Sequence, residues 1–434
     1  MAEVEVFIFN IAVIAVSFVV LNWASNLAIT NAMKVASIIE QAGIHAIDVT
    51  TGWHEAPVPS FHASVPRGKW VYMAEGIKKA VNIPVVTGTR ILDPFFADEL
   101  IAQGKADLVY MARPLIADPE LPNKAREGRF DEIRPCISCS HCFGAIGVGL
   151  PMSCSVNARI GKESEYTIEA TGQKKKVIII GGGPAGLEAA RVAAMRGHHV
   201  ILAEKEEQLG GLLLVAEAPP YKEEIGYLTR YYDNQMKKLD VDVRLGRATD
   251  VEKIKEMNPD IIIVATGSIP IIPDIPGVDG THVYTAIDVL ADKKSVGKNI
   301  VVIGGGFIGC ETAEFIAGKG KTVTIVEQLD RLGGDFERTN RWVIMSRLKE
   351  SGIRMKSRTK VKEITRTGVK AITDGKEEFF EADSVVLAVG MEPNRNLANA
   401  LNRADIKFHI IGDSLLPQKI AQAVDSGMRI GLEV

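Results

Sequence analysis

Positive charge is not in excess in this sequence of 434 residues, in which 51 Lys and Arg face 54 Asp and Glu for a net charge of −3. Because a protein that binds nucleic acid needs a basic face for the phosphates, this balance argues against a nucleic-acid partner. Cysteine is also scarce, with five residues in all, which excludes a secreted scaffold held by disulfides. Four of the five lie between Cys136 and Cys154, and this clustering favours a bound cofactor over crosslinks.

Strong compositional bias is missing as well. Hydrophobic residues make up 46% of the chain and charged residues 24%, close to the average globular protein. These values exclude wholesale disorder, collagen and a coiled coil. At roughly 100–200 residues per domain, the length predicts about three domains.

The N-terminal segment, residues 1–29, differs from the rest of the chain. Residues 6–28 contain no charged side chain, and the run is long enough to span a bilayer. Three asparagines interrupt it, and the absence of Lys and Arg before Lys34 removes the positive start of a secretory signal. Three interpretations remain open: a membrane anchor, a buried barrel strand with its helix, or a non-native start left by truncation, which we favour for reasons given below.

Residues 30–128 alternate amphipathic helical runs with short β-rich runs. NAMKVASIIEQAG precedes HAIDVT, WVYMAEGIKKAV precedes IPVVTG, and FADELIAQG precedes ADLVYMAR. This alternation predicts three βα units and a parallel sheet. A loop-like connector that carries the clustered cysteines follows at residues 131–173, and a different pattern begins at Lys174.

The C-terminal 260 residues contain an internal repeat. KVIIIGGGPAGLEAA at 176–190 matches NIVVIGGGFIGCETA at 299–313, an offset of 123 residues. The same offset relates Leu209-Gly210-Gly211 to Leu332-Gly333-Gly334, and Ala265-Thr266-Gly267 to Ala388-Val389-Gly390. The repeat therefore predicts two related units, and its period is too long for a solenoid.

Each copy of the repeat carries the signature of a dinucleotide site. A G-x-G-x-x-G follows a strand and opens a helix, and an acidic residue ends the next strand. The three glycines allow, in turn, a tight turn, close approach of a pyrophosphate to the backbone, and close packing of the helix on the strand. The helix N-terminus favours the negative charge of the pyrophosphate. The carboxylate accepts a hydrogen bond from a ribose hydroxyl. The residues are Gly181, Gly183, Gly186 and Glu204 in the first copy, and Gly304, Gly306, Gly309 and Glu327 in the second.

The cysteines Cys136, Cys139, Cys142 and Cys154 are separated by 2, 2 and 11 residues. Three close thiolates and a distant fourth suit a cubane cluster, whereas structural zinc usually uses two separated C-x-x-C pairs. The spacing favours [4Fe–4S] over zinc. We expect His141, between two of these ligands, and Cys310, outside the group, to be packing residues.

Residues 174–434 resemble the flavoproteins with two dinucleotide-binding domains, in which the first unit binds FAD and the second, inserted unit binds NAD(P)H. The resemblance assigns Gly412 and Asp413, in HIIGDS, to the flavin side of FAD. It also assigns cofactor-binding roles to the loop and strand-end residues Gly211, Ala265, Thr266, Gly267 and Gly390. The Glu327 carboxylate can accept a hydrogen bond from a free 2′-hydroxyl and repels a 2′-phosphate, so the sequence favours NADH over NADPH. Arg331, which lies nearby in sequence, is a residue type that binds a 2′-phosphate and leaves NADPH open.

The order of all these segments resembles the class that contains 2,4-dienoyl-CoA reductase and trimethylamine dehydrogenase, multidomain relatives of old yellow enzyme. The matching segments are TGWHEAPVPS (51–60), VPRG (65–68), VVTGTRILDP (85–94), MARPLIADPELPNKA (111–125) and RPCISCSHC (134–142). The resemblance implies that His54 faces FMN and helps to protonate the substrate. It further implies that Arg90 and Arg113 contact the FMN phosphate and ring, with Gly88 and Ala112 giving backbone room or N–H groups.

A complete (β/α)₈ barrel needs eight strands and about 250 residues, whereas three βα units precede Cys136. By this resemblance the first five strands are missing, together with much of the FMN and substrate pocket, so we expect FMN to be held weakly or not at all. The expected fold is α/β, with the C-terminal part of a (β/α)₈ barrel, an iron–sulfur connector and two Rossmann-like domains. The expected domains are 30–130 (partial barrel), 131–173 (connector), 174–280 with 385–434 (FAD), and 281–384 (NAD(P)H).

The resemblance implies a cytoplasmic oxidoreductase that passes electrons from NAD(P)H through FAD and [4Fe–4S] to FMN, for reduction of the C=C bond of an enoyl thioester or enoate. Two alternatives remain open: an electron-supplying NADH:acceptor subunit without its own substrate site, and an amine dehydrogenase. The expected partners are a small-molecule substrate and a second chain that completes the barrel, and a homo-oligomer is compatible with the sequence.

Overall fold

A computed structural model of the chain describes residues 25–52, 56 and 59–434. Most of the apolar N-terminal run and His54 lie outside these residues. The chain divides into two compact units, the first ending at Leu115 and the second spanning Ile116–Val434. Among the described residues, no helix combines the length and the apolar character needed to cross a bilayer.

The first unit contains a three-stranded parallel sheet in the order β1–β2–β3, in which Ile47 pairs with Val85, and Val86 with Leu108. Its elements are α1 (Ser25–Gln41), β1 (Ile47–Val49), α2 (Val71–Lys78), β2 (Val85–Thr87), α3 (Pro94–Ala102) and β3 (Leu108–Val109), and α4 (Ala112–Ala117) crosses the boundary at Leu115. The three predicted βα units are therefore present. Within the described residues, β1 and β3 each have a neighbouring strand on one side only.

The second unit begins with the connector and continues into two nucleotide-type sheets. Its helices are α5 (Leu121–Arg126), α6 (His141–Gly147), α7 (Pro184–Met195), α8 (Leu213–Ala216), α9 (Ile225–Lys238), α10 (Val251–Glu256), α11 (Ala286–Leu290), α12 (Phe307–Gly318), α13 (Arg338–Glu350), α14 (Asn396–Arg403) and α15 (Ile420–Glu433). Its strands are β4 (Lys176–Ile180), β5 (His199–Ala203), β6 (Asp242–Arg244), β7 (Ile261–Val264), β8 (Ser268–Pro270), β9 (Val283–Thr285), β10 (Asn299–Ile303), β11 (Thr322–Val326), β12 (Arg354–Lys356), β13 (Thr359–Thr365), β14 (Gly368–Thr373), β15 (Lys376–Glu381), β16 (Ser384–Leu387), β17 (Met391–Pro393) and β18 (His409–Ile410).

Both large sheets have five parallel strands, and four strands of each take equivalent positions. The fifth differs in chain order: the edge strand beside β7 is β18, the last strand of its sheet, whereas the edge strand beside β16 is β9, the first of its sheet. The first runs β18–β7–β4–β5–β6 and the second β9–β16–β10–β11–β12, each with its first glycine-loop strand in the centre. The pairs β4/β10, β5/β11 and β7/β16 start 123 residues apart, so the sequence repeat is a repeat of structure. The central strands are buried on both faces, which explains why KVIII and NIVVI read as continuous apolar runs.

The second sheet is inserted into the chain before the first is finished. Strand β18 pairs with β7 of the first sheet, but it follows the whole second sheet in sequence. The predicted return to the first domain at residue 385 is slightly early, because that residue lies within β16, which pairs with β10. The strands β13, β14 and β15 form a separate antiparallel sheet, and β8 pairs with β17.

Candidate functional site

The first glycine loop joins β4 to α7 and has the geometry of a phosphate cradle. A Cβ atom on Gly181 (φ +115°) would lie 2.1 Å from the Ala265 carbonyl oxygen, and one on Gly186 would lie 1.9 Å from the Gly181 carbonyl oxygen. A Cβ on Gly183, the residue before α7, would meet nothing within 4 Å. Gly181 and Gly186 are therefore required by the protein, while Gly183 borders open space at a helix N-terminus, where an anion is favoured.

This difference predicts distinct effects of two alanine substitutions. We expect Gly186→Ala to lower stability and yield little folded protein, because its Cβ overlaps backbone. We expect Gly183→Ala to fold with the melting temperature of the flavin-free unaltered chain but to lose FAD, because its Cβ enters the space left for the diphosphate. Thermal denaturation and flavin content after gel filtration test both, and full flavin retention by Gly183→Ala would contradict the assignment.

The two acidic residues that end the second strand of each copy make equivalent contacts. Glu204 Oε2 accepts from the Gly182 N–H at 2.6 Å and Oε1 from the Glu206 N–H at 2.9 Å. Glu327 accepts from the Gly305 N–H at 2.6 Å and from the Leu329 N–H at 2.8 Å. Each carboxylate is thus buried and fixed against its glycine loop, with acceptor capacity remaining for a ribose hydroxyl. The ribose contact itself stays a prediction.

One cavity of about 1570 Å³ gathers many of the predicted residues. It is larger than the roughly 300–1,000 Å³ of most small-molecule pockets, which suits an extended dinucleotide. Eight of the predicted FAD residues line it: Gly181, Gly183, Glu204, Gly211, Ala265, Thr266, Gly267 and Asp413. Its other walls include Cys139 and His141 of the connector and Phe307 of α12. The residues therefore fit FAD, with the cysteine segment on one wall and α12 on another.

Asp413 is held at one wall of this cavity. Its carboxylate accepts from Ser268 Oγ and from the Gln418 N–H, both at 3.1 Å, and burial raises its pKa above the ordinary value in spite of these bonds. Gly412, beside it, has a positive φ of 61° and does not line the cavity.

The second glycine loop repeats the steric pattern of the first. A Cβ on Gly304 would lie 2.3 Å from the Ala388 carbonyl oxygen, and one on Gly309 would lie 1.9 Å from the Gly304 carbonyl oxygen. Gly390 follows β16 with a φ of 121°. These residues fit a second dinucleotide. The large cavity is not lined by Gly304, Gly306, Gly309 or Glu327. It reaches this nucleotide-type domain through residues of α12 instead.

A partly buried ion pair that the sequence interpretation missed joins the two nucleotide-type sheets and their helices. Lys222, which precedes α9, lies 2.6 Å from a carboxylate oxygen of Glu311 on α12, and both residues line the cavity. Burial raises the pKa of Glu311, and the Lys222 ammonium opposes that rise. The repeat carried a signal for it, since Glu188 and Glu311 stand 123 residues apart, two positions after the third glycine of each motif.

The cysteine connector has the donors for an iron–sulfur cluster. Cys136, Cys139 and Cys154 pack against the same hydrophobic core, and Cys142 lies in the first turn of α6. Burial raises the pKa of the Cys154 thiol to about 12; the Val156 and Asn157 N–H groups donate to its sulfur, and the thiols of Cys139 and Cys136 lie near enough to add to the rise. Within the described residues, no group of three or more His, Cys, Asp or Glu side chains is arranged to hold a metal ion. The cluster therefore stays a prediction that the chemistry of the donors fits.

His141, next to Cys142, lies in the wall of the cavity. Its Nε2 is 3.1 Å from Ser153 Oγ, and burial lowers its pKa below the ordinary value.

The two arginines predicted to hold FMN differ in their hydrogen bonding. Arg90 is buried and donates to the main-chain carbonyl of Val65 at 2.8 Å and to that of Ala63 at 3.3 Å. The guanidinium of Arg113 lies 5.7 Å from the centre of the Phe61 ring. Its Nη1 is buried and has no hydrogen-bond partner among the described residues, as an anion-binding group would be. The phosphate contacts of both arginines stay predictions, and the role of His54 falls outside the described residues.

Gly88 and Ala112 belong to the same predicted FMN site. A Cβ on Gly88 would lie 2.1 Å from the ring of Tyr110, so glycine is required there by the protein itself. Ala112 is the first residue of α4.

The chain is similar to several known proteins. It is 43% identical to an NADH oxidase of Thermoanaerobacter brockii, over 92% of this chain and 63% of that protein. It is 36% identical to a cinnamate reductase of Clostridium sporogenes, over 94% of this chain and 62% of that protein. Its fold matches a 2-naphthoyl-CoA reductase solved with 2-naphthoyl-CoA, with a TM-score of 0.90 and 34% identity, over 93% of this chain and 62% of that one. The chain thus spans less than two thirds of each relative.

Two family models also match. Residues 21–132 match the NADH:flavin oxidoreductase / NADH oxidase family, and residues 175–412 match the pyridine nucleotide-disulphide oxidoreductases. The predicted combination of an old yellow enzyme-like segment with a two-nucleotide flavoprotein segment is confirmed. With more than half of its residues inside the second match, the chain belongs to the pyridine nucleotide-disulphide oxidoreductase family and carries, ahead of that domain, part of an NADH:flavin oxidoreductase domain.

Proposed function

We propose that the chain is a flavin-dependent oxidoreductase that takes reducing equivalents from NADH and delivers them to the C=C bond of an enoyl thioester or enoate. The observation that carries this proposal is that Gly183 of the first glycine loop, Cys139 of the connector and Phe307 of α12 line one and the same cavity. Bound FAD and an iron–sulfur cluster supply the change between hydride and single-electron transfer. The relatives named for cinnamate and 2-naphthoyl-CoA support the substrate class.

The chain's own residues bind and orient the nucleotides. Gly181 and Gly183 let the backbone approach one diphosphate, and Gly304 and Gly306 do the same for the other. The ion pair of Lys222 with Glu311 holds α12 against the segment before α9. This contact keeps the domain of the second glycine loop beside the FAD cavity.

A purified chain tests the proposal. We expect anaerobic preparations to retain FAD after gel filtration and to reduce an artificial dye with NADH, and a flavin-loaded chain that reduces no dye would overturn the function. We expect FMN to be retained weakly, because the Arg90 guanidinium is bonded to main-chain carbonyls.

A second candidate is an electron-supplying subunit that has no substrate site of its own. The two edges of the described β1–β2–β3 sheet, each lacking a neighbour on one side, favour it. Reduction of cinnamate or a 2,4-dienoyl-CoA by this chain alone supports the first candidate, whereas dye reduction without substrate reduction supports the second.

The proposal also predicts which nicotinamide nucleotide is used. We expect kcat/KM to be higher for NADH than for NADPH, and Glu327→Gln to narrow that preference by about 1.5–3 kcal/mol, the range for a hydrogen bond to a charged group. The matched variant Glu204→Gln, at the equivalent position of the first copy, should leave the NADH/NADPH ratio unchanged. An unaltered chain that prefers NADPH would refute the role of Glu327 and implicate Arg331.

A further inference from the structure

The two glycine loops differ at the start of the helix that follows each of them, and the 123-residue repeat identifies the equivalent residues. In the second loop, Asp335 Oδ2 accepts a hydrogen bond from the Phe307 N–H, the first N–H of α12, at 2.9 Å. The residues 123 positions earlier are Leu212 and Pro184, so the first loop has neither the carboxylate nor the N–H. A Cβ on Gly306 would lie 3.2 Å from Asp335 Oδ2, whereas a Cβ on Gly183 would meet nothing within 4 Å. A carboxylate of the chain itself therefore fills the space that is open in the first loop.

That space is where a dinucleotide places its diphosphate. The N-terminus of a helix attracts anions through its free N–H groups and its dipole, and α12 is 12 residues long. The Asp335 carboxylate already satisfies the first of these N–H groups. An arriving diphosphate must displace this carboxylate or lie beside a like charge, and either course weakens its binding.

The surroundings of Asp335 permit displacement. It is exposed and follows Gly333, which has a φ of +63°, and Gly334. The main chain of the loop is anchored by the bond from the Gly333 N–H to the Gly305 carbonyl at 2.7 Å and by the bond from Lys419 Nζ to the Asp335 carbonyl at 2.9 Å. The side chain can therefore leave the helix while the backbone of the loop stays in place.

We infer that Asp335 is an internal competitor for the diphosphate of the pyridine nucleotide and sets its affinity. This inference rests on the proposed function, because it takes the second loop as the NADH site. It gives the duplicated fold two behaviours: the open first loop retains FAD as a resident cofactor, and the self-capped second loop exchanges its nucleotide in each turnover.

The test compares Asp335→Asn with the flavin-loaded unaltered chain, using ADP-ribose as a diphosphate probe that cannot deliver a hydride. We expect Asp335→Asn to bind ADP-ribose about three- to tenfold more tightly by calorimetry, since the diphosphate no longer competes with a negative charge at the helix N-terminus. The KM for NADH should fall and the FAD content should not change. The control Asp330→Asn removes an exposed carboxylate from the same loop and should leave the affinity for ADP-ribose unchanged.

A reciprocal substitution keeps the inference testable if Asp335→Asn folds poorly. Leu212→Asp places a carboxylate in the first loop and should retain less FAD than Leu212→Asn, which differs from it only in charge. Equal or weaker binding of ADP-ribose by Asp335→Asn, or equal FAD retention by the two Leu212 variants, would overturn the inference and leave the proposed function standing. A chain that binds no ADP-ribose in any variant and reduces no dye with NADH would instead refute the proposed function.

Discussion

Replacement of Glu188 by alanine is expected to lower the free energy of unfolding of the second unit by about 3–5 kcal/mol, the usual cost of removing one partner of a buried ion pair. Glu188 lies on α7 and is fully buried. Arg191 donates to its two oxygens at 2.9 and 2.7 Å, and the Tyr232 hydroxyl donates at 3.1 Å. Arg134 lies 3.6 Å away. Burial favours the neutral acid, but the two arginines outweigh it and hold the pKa of Glu188 below its ordinary value.

The alanine variant would leave two guanidinium groups buried without a counter-charge. Its stability can be measured by urea denaturation, followed by far-UV circular dichroism. Asp242→Ala is a suitable control, because the pair of Asp242 with Arg244 at 2.7 Å is exposed and such pairs contribute about 0–1 kcal/mol. If both variants lose the same small amount of stability, the Glu188 cluster does not stabilise the unit in this way.

The same cluster reaches the cysteine connector. Arg134 Nη1 donates to the Val156 carbonyl at 2.7 Å, and the N–H of Val156 donates to the sulfur of Cys154. Arg134 thus fixes the segment that carries Cys154, and Glu188 in turn fixes Arg134. Glu188→Ala should therefore also reduce the iron content of the protein.

Iron should fall from about four atoms per chain to near zero when Cys154 is replaced by alanine, if the four connector cysteines hold a [4Fe–4S] cluster. The matched control is Cys310→Ala. Burial raises the pKa of each thiol to about 12, so a difference in acidity cannot account for a difference in iron. The two differ in their neighbours: Cys154 has the thiols of Cys139 and Cys136 nearby, whereas the charged groups that act on Cys310 are Asp335, Glu311, Glu327 and Arg341.

Iron and sulfide assays on anaerobically purified protein, with visible absorbance before and after reduction, give the measurement. Stoichiometric zinc in place of iron would contradict the cluster, as would full iron content in Cys154→Ala. Iron lost equally from Cys310→Ala would point to general unfolding.

Sequence patterns predicted what local sterics determine. Gly186 and Gly309 must be glycine because a carbonyl oxygen of their own loop lies where a Cβ would be. This requirement is part of the G-x-G-x-x-G motif and can be read from the sequence. Buried parallel strands require apolar residues on both faces, so β4 and β10 were visible as runs. The 123-residue offset then predicted the equivalence of the two sheets.

Contacts between distant segments were not predictable in the same way. Arg134 and Tyr231 are 97 residues apart in sequence and meet only after α9 packs beside the connector. The hydrogen bonds from Arg90 to the carbonyls of Ala63 and Val65 also join separate segments, and no sequence pattern indicated them. The bond between Asp335 and Phe307 spans 28 residues and depends on how one loop closes over a helix.

The late position of β18 has a consequence for synthesis on the ribosome. The second sheet uses chain from β9 to β16, so all of its strands are available before residue 388 is made. The first sheet must wait for β18, whose His409 pairs with Ile263 almost 150 residues earlier. Helix α15 comes later still, and it packs so closely on α7 that a Cβ on Gly427 would lie 2.3 Å from the Ala185 carbonyl oxygen. Contacts of such long sequence separation form slowly. The inserted unit can therefore fold first during translation, and the cradle begun at β4 is completed only after β18 and α15 have left the ribosome.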